Sequence, residues 1–243
     1  MPTSQGRHPQ GRPAGRSALI QVAVILGLII VVAGVAVAVL KLRDGSTAAD
    51  PTTPPSTAAP AGFTAAGGVE VGNPEAPVTL TVIEDFACPH CQVFAISNAG
   101  LLGDYADGDD VLVEYRPVAF LDRASTDEYS SRALNAAACV VNEDESLWSQ
   151  MHLQLMANQP ASGGPGLTDA QLLEVARMAG ADEDAVATCI AERDYADWVR
   201  ATTEKMLDQD FFTGTPTVLV DGEPVDDISS AGVEAAVAAA LAR

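Results

Sequence analysis

The sequence predicts an α/β domain: a strand–helix–strand framework with an inserted helical block, preceded by a single N-terminal transmembrane helix. Three observations carry this. Val78 to Ile83 is an apolar, β-prone run that leads through Cys88-Pro89-His90-Cys91 into a helix-like stretch, and Val111 to Val118 supplies a second core strand. Strand, helix, strand is the unit of a parallel pairing. From about 125 to 209 the chain reads as helix, and Ala18 to Leu40 is a run of 23 residues with no charge.

Taken in order, residues 1–17 hold Arg7, Arg12 and Arg16 among Gly and Pro. They show no apolar periodicity and are expected to be a disordered, cytoplasmic N-terminus. In Ala18–Leu40, Gln21 is the one strongly polar residue. At about 1.5 Å per residue the run spans the hydrocarbon core of a bilayer. A cleaved signal peptide would have a shorter apolar region followed by small residues; here Lys41-Leu42-Arg43 follows. Residues 41–67, with Pro51, Pro54, Pro55 and Pro60, read as an extended spacer. The expected domain covers 68–243.

Within it, Val69-Glu70-Val71 is a short edge strand and Asn73-Pro74-Glu75-Ala76-Pro77 a turn. In the helical block, Leu147, Met151 and Leu155 recur at helical spacing. Thr168-Asp169-Ala170-Gln171 is a capping box, Gly180 a stop and Asp182 the next cap. Thr217 to Val220 is a strand, Asp221-Gly222 a hairpin turn, and Ala231 to Leu241 a closing helix.

The 243 residues carry a net charge of −20. Residues 1–43 hold five basic residues and no acid, so 44–243 keep 8 basic against 33 acidic residues, a net of −25. Phosphate contacts need basic surface, so a nucleic-acid partner is not expected. No dimerisation segment is visible, and a monomer is expected.

The chemistry centres on Cys88 and Cys91. A thiol at the start of a helix meets unpaired backbone N–H groups and the positive end of the helix dipole. Both favour the thiolate, which is the nucleophile. Cys88 is expected to be exposed at the helix mouth, with Cys91 one turn further in and more buried. Pro89 suits the first helical position, where its missing N–H costs nothing. His90 adds a donor, and when charged a positive group, beside the thiolate. A zinc site would need two more ligands from His90, Cys139, His152 and Cys189, and none of these forms a second paired motif. Cys139 and Cys189 lie on separate expected helices. They are either buried free thiols or, outside the cytoplasm, a structural disulfide, and the disulfide is the expectation.

Cys88-Pro89-His90-Cys91, the strand start Gly214-Thr215-Pro216-Thr217 and the helical stretch between them resemble the DsbA-like branch of the thioredoxin superfamily over about 68–243. The resemblance implies a thioredoxin-like fold with an inserted helical domain and a cis peptide at Thr215-Pro216 against the redox pair. It implies a protein thiol–disulfide oxidoreductase with no cofactor beyond its redox-active disulfide. Its implied partners are reduced exported proteins and a membrane quinone-linked thiol oxidase. The resemblance, together with the apolar run, implies a single-pass protein of the cell membrane with the domain outside. A reductase or isomerase on the same fold, or a non-catalytic binding module, is the alternative. One departure stands out. The family commonly places a buried acid six residues before the first cysteine, where this chain has Val82. Glu84 and Asp85 come next, pointing to opposite faces if the strand alternates. Either one relays a proton to Cys91, or the two form a solvated strand end.

Overall fold

The computed structural model describes residues 57–243. The expected transmembrane run at 18–40 and most of the spacer lie outside the described residues. Among the described residues no helix is long and apolar enough to cross a membrane.

Strands β1 (Val69–Val71), β2 (Val78–Glu84) and β3 (Val111–Pro117) surround helix α1 (Pro89–Ala106) in sequence. Five helices follow: α2 (Tyr129–Glu143), α3 (Trp148–Ala157), α4 (Asp169–Met178), α5 (Glu183–Glu192) and α6 (Ala196–Leu207). Strands β4 (Thr217–Val220) and β5 (Glu223–Pro224) and helix α7 (Ser230–Leu241) close the chain. The sheet order is β1-β3-β2-β4-β5. Only the β2–β3 pairing is parallel, as the helical crossover between them requires, and β1, β4 and β5 join antiparallel.

β2 is the central strand, and Leu80, Val82 and Ile83 are fully buried. One cluster packs Leu80 and Val82 with Phe94 and Leu102 of α1 and Val233 and Val237 of α7. The larger cluster fills the helical block and reaches Phe86, Cys88 and Cys91. The capping box at Thr168 and Gln171 opens α4, and Asp182 caps α5 through the Asp184 N–H. Gly180 takes φ +99° after α4, a conformation glycine adopts without a Cβ clash.

Packing begins upstream of Gly68. Phe63 is buried edge-on between Trp148 and Trp198, at ring distances of 6.1 and 4.7 Å. A single aromatic in a Pro/Thr/Ala stretch gives no periodic signal, so the sequence pattern alone placed it in the spacer.

Candidate active site

The end of β2, the turn at 85–88 and the first turn of α1 build the site. Cys88 is the helix N-cap, with extended backbone at φ −84° and ψ 115°, and Pro89 occupies the first turn. The Gln92 N–H donates to the Cys88 carbonyl at 3.1 Å, the first hydrogen bond of the helix. This sets the Cys88 sulfur in front of the free N–H groups of the first turn. Cys88 and Cys91 are unlinked.

From the far end of the chain, Thr215-Pro216, a cis peptide, enters β4 and lies against the pair. The Cys88 thiol donates to the Thr215 carbonyl at 3.3 Å. β4 is held in place by pairing with β2, with Ile83 opposite Thr217. Residues 127 positions apart therefore meet because two strands of one sheet end side by side.

Cys88 was expected to be exposed; it is 4% exposed. Two neighbours cover it. The Thr215 carbonyl closes over the sulfur, and the Gln159 side chain, beyond α3, donates to the carbonyls of Phe86 and Cys88 at 2.9 and 3.1 Å. An incoming sulfur must displace the Thr215 contact. Cys91 is fully buried and accepts the Asp85 N–H at 3.5 Å.

A family model described as thioredoxin matches residues 64–239. The chain belongs to the thioredoxin family. Its solved neighbours include oxidised DsbA of Mycobacterium tuberculosis, 29% identical with a TM-score of 0.63, covering 72% of this chain and 93% of that one. The reduced disulfide bond oxidoreductase DsbG of the same organism is 29% identical with a TM-score of 0.64, covering 72% and 88%. BdbD of Bacillus subtilis, at 21% identity and TM-score 0.65 over 74% and 96%, shares the fold. Among curated proteins, the serine/threonine-protein kinase PknE of M. tuberculosis is 32% identical over 128 residues, 51% of this chain. The match spans about a fifth (22%) of that kinase's length.

In this thioredoxin-family domain the two thiols are driven apart. The Cys88 pKa is lowered from 9.0 to about 5, first by the hydrogen bond from Cys91 and then by Thr215 and the N–H groups of Cys91 and His90, against burial. A carbonyl acceptor favours the protonated thiol, so the Thr215 contribution comes from its side chain and not from the carbonyl that the thiol meets. Burial first, then the Cys88 thiolate and the charge of Glu84, push the Cys91 thiol far above its ordinary value. What residue 90 gives the sulfur is its backbone N–H; the imidazole of His90 is exposed, as is Pro89.

Glu84 and Asp85 are 1% and 0% exposed, which overturns a solvated strand end. They divide the work. Asp85 accepts from the Ala87 N–H at 2.7 Å, the Leu121 N–H at 2.8 Å and the Ser130 hydroxyl at 2.6 Å. It ties the active-site turn to the loop after β3 and to α2, and burial raises its pKa from 3.8 to about 6. Glu84 instead meets His152, with Oε1 and Nε2 2.8 Å apart.

Of the residues weighed as further metal ligands, His90 is exposed on the first turn of α1, and the other three are engaged with other partners. Cys139 of α2 and Cys189 of α5 are joined to each other, and His152 faces Glu84. Gln159 and Ser130 had no sequence signal as site residues, and His152 was weighed only as a metal ligand. A polar residue in a loop or a lone histidine on a helix reads as ordinary surface or core.

Proposed function

We propose that this domain introduces disulfides into exported proteins, working outside the cytoplasm behind the anchor at 18–40. The observation that carries the reading is the Cys88 sulfur at the α1 N-terminus, buried against Thr215 with an acidic thiol. In the oxidised enzyme Cys88 and Cys91 form a disulfide. A substrate thiolate attacks Cys88, and Cys91 leaves with the bonding electrons. A second substrate thiolate then attacks the substrate sulfur of the mixed disulfide, and Cys88 departs as a thiolate. Two substrate thiols are oxidised and one enzyme disulfide is reduced. A leaving thiol of low pKa departs faster and stabilises the reduced enzyme, so the pair is poised as an oxidant. A membrane quinone-linked thiol oxidase reoxidises it, and the anchor keeps the domain near that partner.

Thiol alkylation in intact cells, read as a mass shift, tests this. The expected result is a pair held mainly oxidised, with Cys91→Ser accumulating mixed disulfides on Cys88. A pair held mainly reduced points instead to the reductase or isomerase reading. Protection of the domain from protease added outside wall-stripped cells would remove the localisation.

A further inference from the structure

A small cavity of 60 Å³ opens beside the redox pair and has no part in the exchange as written. Ala87 and Pro89, which flank Cys88 in the chain, line it together with Leu121 and Ala124 of the loop after β3. Tyr129, at the start of α2, and Ala161, beyond α3, complete it. Pro89, Ala124 and Ala161 are exposed, so the slot is open to solvent at its rim, whereas Tyr129 is buried. No charged residue lines it. The larger cavities, of 320 and 530 Å³, are lined by none of residues 85–91 or 214–216.

Hydrogen bonds fix the walls of the slot before any substrate arrives. The loop that carries Ala161 is pinned at its start by Gln159, whose amide donates to the carbonyls of Phe86 and Cys88 at 2.9 and 3.1 Å. Further along, the Thr126 N–H donates to the Gly164 carbonyl at 3.1 Å. Arg132, 3% exposed, donates to the carbonyls of Pro165, at 2.6 Å, and of Leu167. A Cβ at Gly166 would come within 2.5 Å of three Tyr129 atoms, so this glycine lets the loop lie directly on the tyrosine. On the other side, the Leu121 N–H is held by the Asp85 carboxylate at 2.8 Å. A site built this way binds without the cost of ordering its own loops.

A polypeptide that reacts at Cys88 must pass this slot. Successive Cα atoms are about 3.8 Å apart, so the residue next to a cysteine bonded to Cys88 arrives at the level of Ala87 and Pro89. The size of the slot decides what it takes. A cavity of about 150 Å³ holds a benzene ring, so 60 Å³ suits an alanine- or valine-sized group and excludes a ring. A charged side chain would lose its hydration there and find no partner. We propose that this slot receives one small aliphatic side chain from the residue beside the reacting cysteine of the substrate, and so makes the flanking sequence set the rate of exchange. This rests on the thiol exchange described above. The occupied slot holds the substrate sulfur in front of Cys88 and leaves the reactivity of Cys88 itself unchanged. The inserted helical block thereby reads the substrate, through Tyr129 and Ala161, beyond covering the redox pair.

The test uses the full-length oxidised protein and glycine peptides with one central cysteine, carrying glycine, alanine, valine, phenylalanine or aspartate just before it or just after it. Acid-quenched alkylation times the loss of the Cys88–Cys91 disulfide. Dithiothreitol, which has no side chain for the slot, is the reference reductant. Valine should react roughly tenfold faster than glycine, the scale of a methylene or two in an apolar pocket. Alanine should fall between them, and phenylalanine and aspartate should gain nothing over glycine. One slot takes one side chain, so the preference should hold on one side of the cysteine and not on the other. Ala124→Leu and Ala161→Leu fill the slot from its exposed rim and should bring the valine-to-glycine ratio toward one, with the dithiothreitol rate unchanged. The ratio is internal to each protein, and the wild-type series stands alone if a filled variant does not fold. Equal rates for valine and glycine, a phenylalanine peptide as fast as valine, or an equal preference on both sides would each overturn the proposal. So would a valine advantage undiminished in both filled variants, or a dithiothreitol rate that falls with it. Failure of the wild type to react with dithiothreitol or any peptide would remove the functional reading itself.

Discussion

Replacing Cys91 with alanine asks what holds the Cys88 thiolate. The largest cause of its low pKa is the hydrogen bond from the Cys91 thiol. A hydrogen bond to a charged acceptor stabilises it by about 1.5–3 kcal/mol, and one pH unit of pKa corresponds to about 1.4 kcal/mol. Cys91→Ala should therefore raise the Cys88 pKa by roughly one to two pH units. Cys91→Ser keeps a hydroxyl donor in the same place and should titrate near the original value of about 5. The shift also has a redox reading. With a pKa of about 5, thiolate outweighs thiol at neutral pH by roughly a hundredfold, and each tenfold is about 30 mV for a two-electron couple. The low pKa thus makes the pair oxidising by roughly 60 mV relative to one with ordinary thiols. The assay is the pH dependence of Cys88 alkylation alongside ultraviolet thiolate absorbance in both variants. If the alanine and serine variants titrate together, the Cys91 donor is not the cause. If both titrate near about 8.5, the helix-terminus argument fails with it.

Three further outcomes are expected. Because Cys88 has a depressed folded pKa, its thiolate stabilises the reduced fold fully above the unfolded value of 9.0, and this is lost as pH falls through about 5. The stability of reduced minus oxidised protein, from paired urea melts, should shrink on acidification, and a difference that grows would contradict the assignment. Asp85 has a raised folded pKa, so its contribution is present below 3.8 and lost as pH rises through about 6. The oxidised protein should lose about 3 kcal/mol over that range, and Asp85→Asn should flatten the profile while leaving one of its three donors unpaired. Cys139→Ser opens a link of sequence separation 50 and should lower stability by about 4 kcal/mol in the chain-entropy model. Thermal melting reads that loss, and Cys88 alkylation should be unchanged.

The framework was legible because it rests on local pattern. The β2 run, the capping box at Thr168, the Asp182 cap and the β4 strand each follow from a few adjacent residues. So did the redox pair, since Cys88-Pro89-His90-Cys91 carries its own helix start. The cover over Cys88 was not legible. It depends on the Thr215 carbonyl and the Gln159 amide, which arrive from 127 and 71 residues away. Nor was the partner of Glu84, because His152 follows Trp148 by one helical turn and joins a packed aromatic row. Phe63 was missed for the related reason that one buried aromatic leaves no period.

The departure at Val82 becomes intelligible from strand geometry. Side chains at i and i+2 share a face, so Val82 and Glu84 point the same way from β2, while Asp85 points the other way. Val82 packs with Phe94 of α1, and Glu84 carries that face to the strand end, near the first turn of α1 that holds Cys91. The acid that the family resemblance places at residue 82 is thus replaced by one on the same face, two residues nearer the helix mouth. At the strand end an acid faces the inserted block as well as α1, and His152 on α3 meets it. An acid at 82 would lie deep between β2 and α1, among Phe94, Val218 and Leu102, with no such partner. Val82→Glu combined with Glu84→Val therefore tests whether face alone suffices. The swap restores the residue type at the family position but strands the carboxylate away from His152. Disulfide breakage by dithiothreitol should be slower in the swapped protein than in the wild type. Recovery of the wild-type rate would show that the shared face, and not the histidine, is what Cys91 requires.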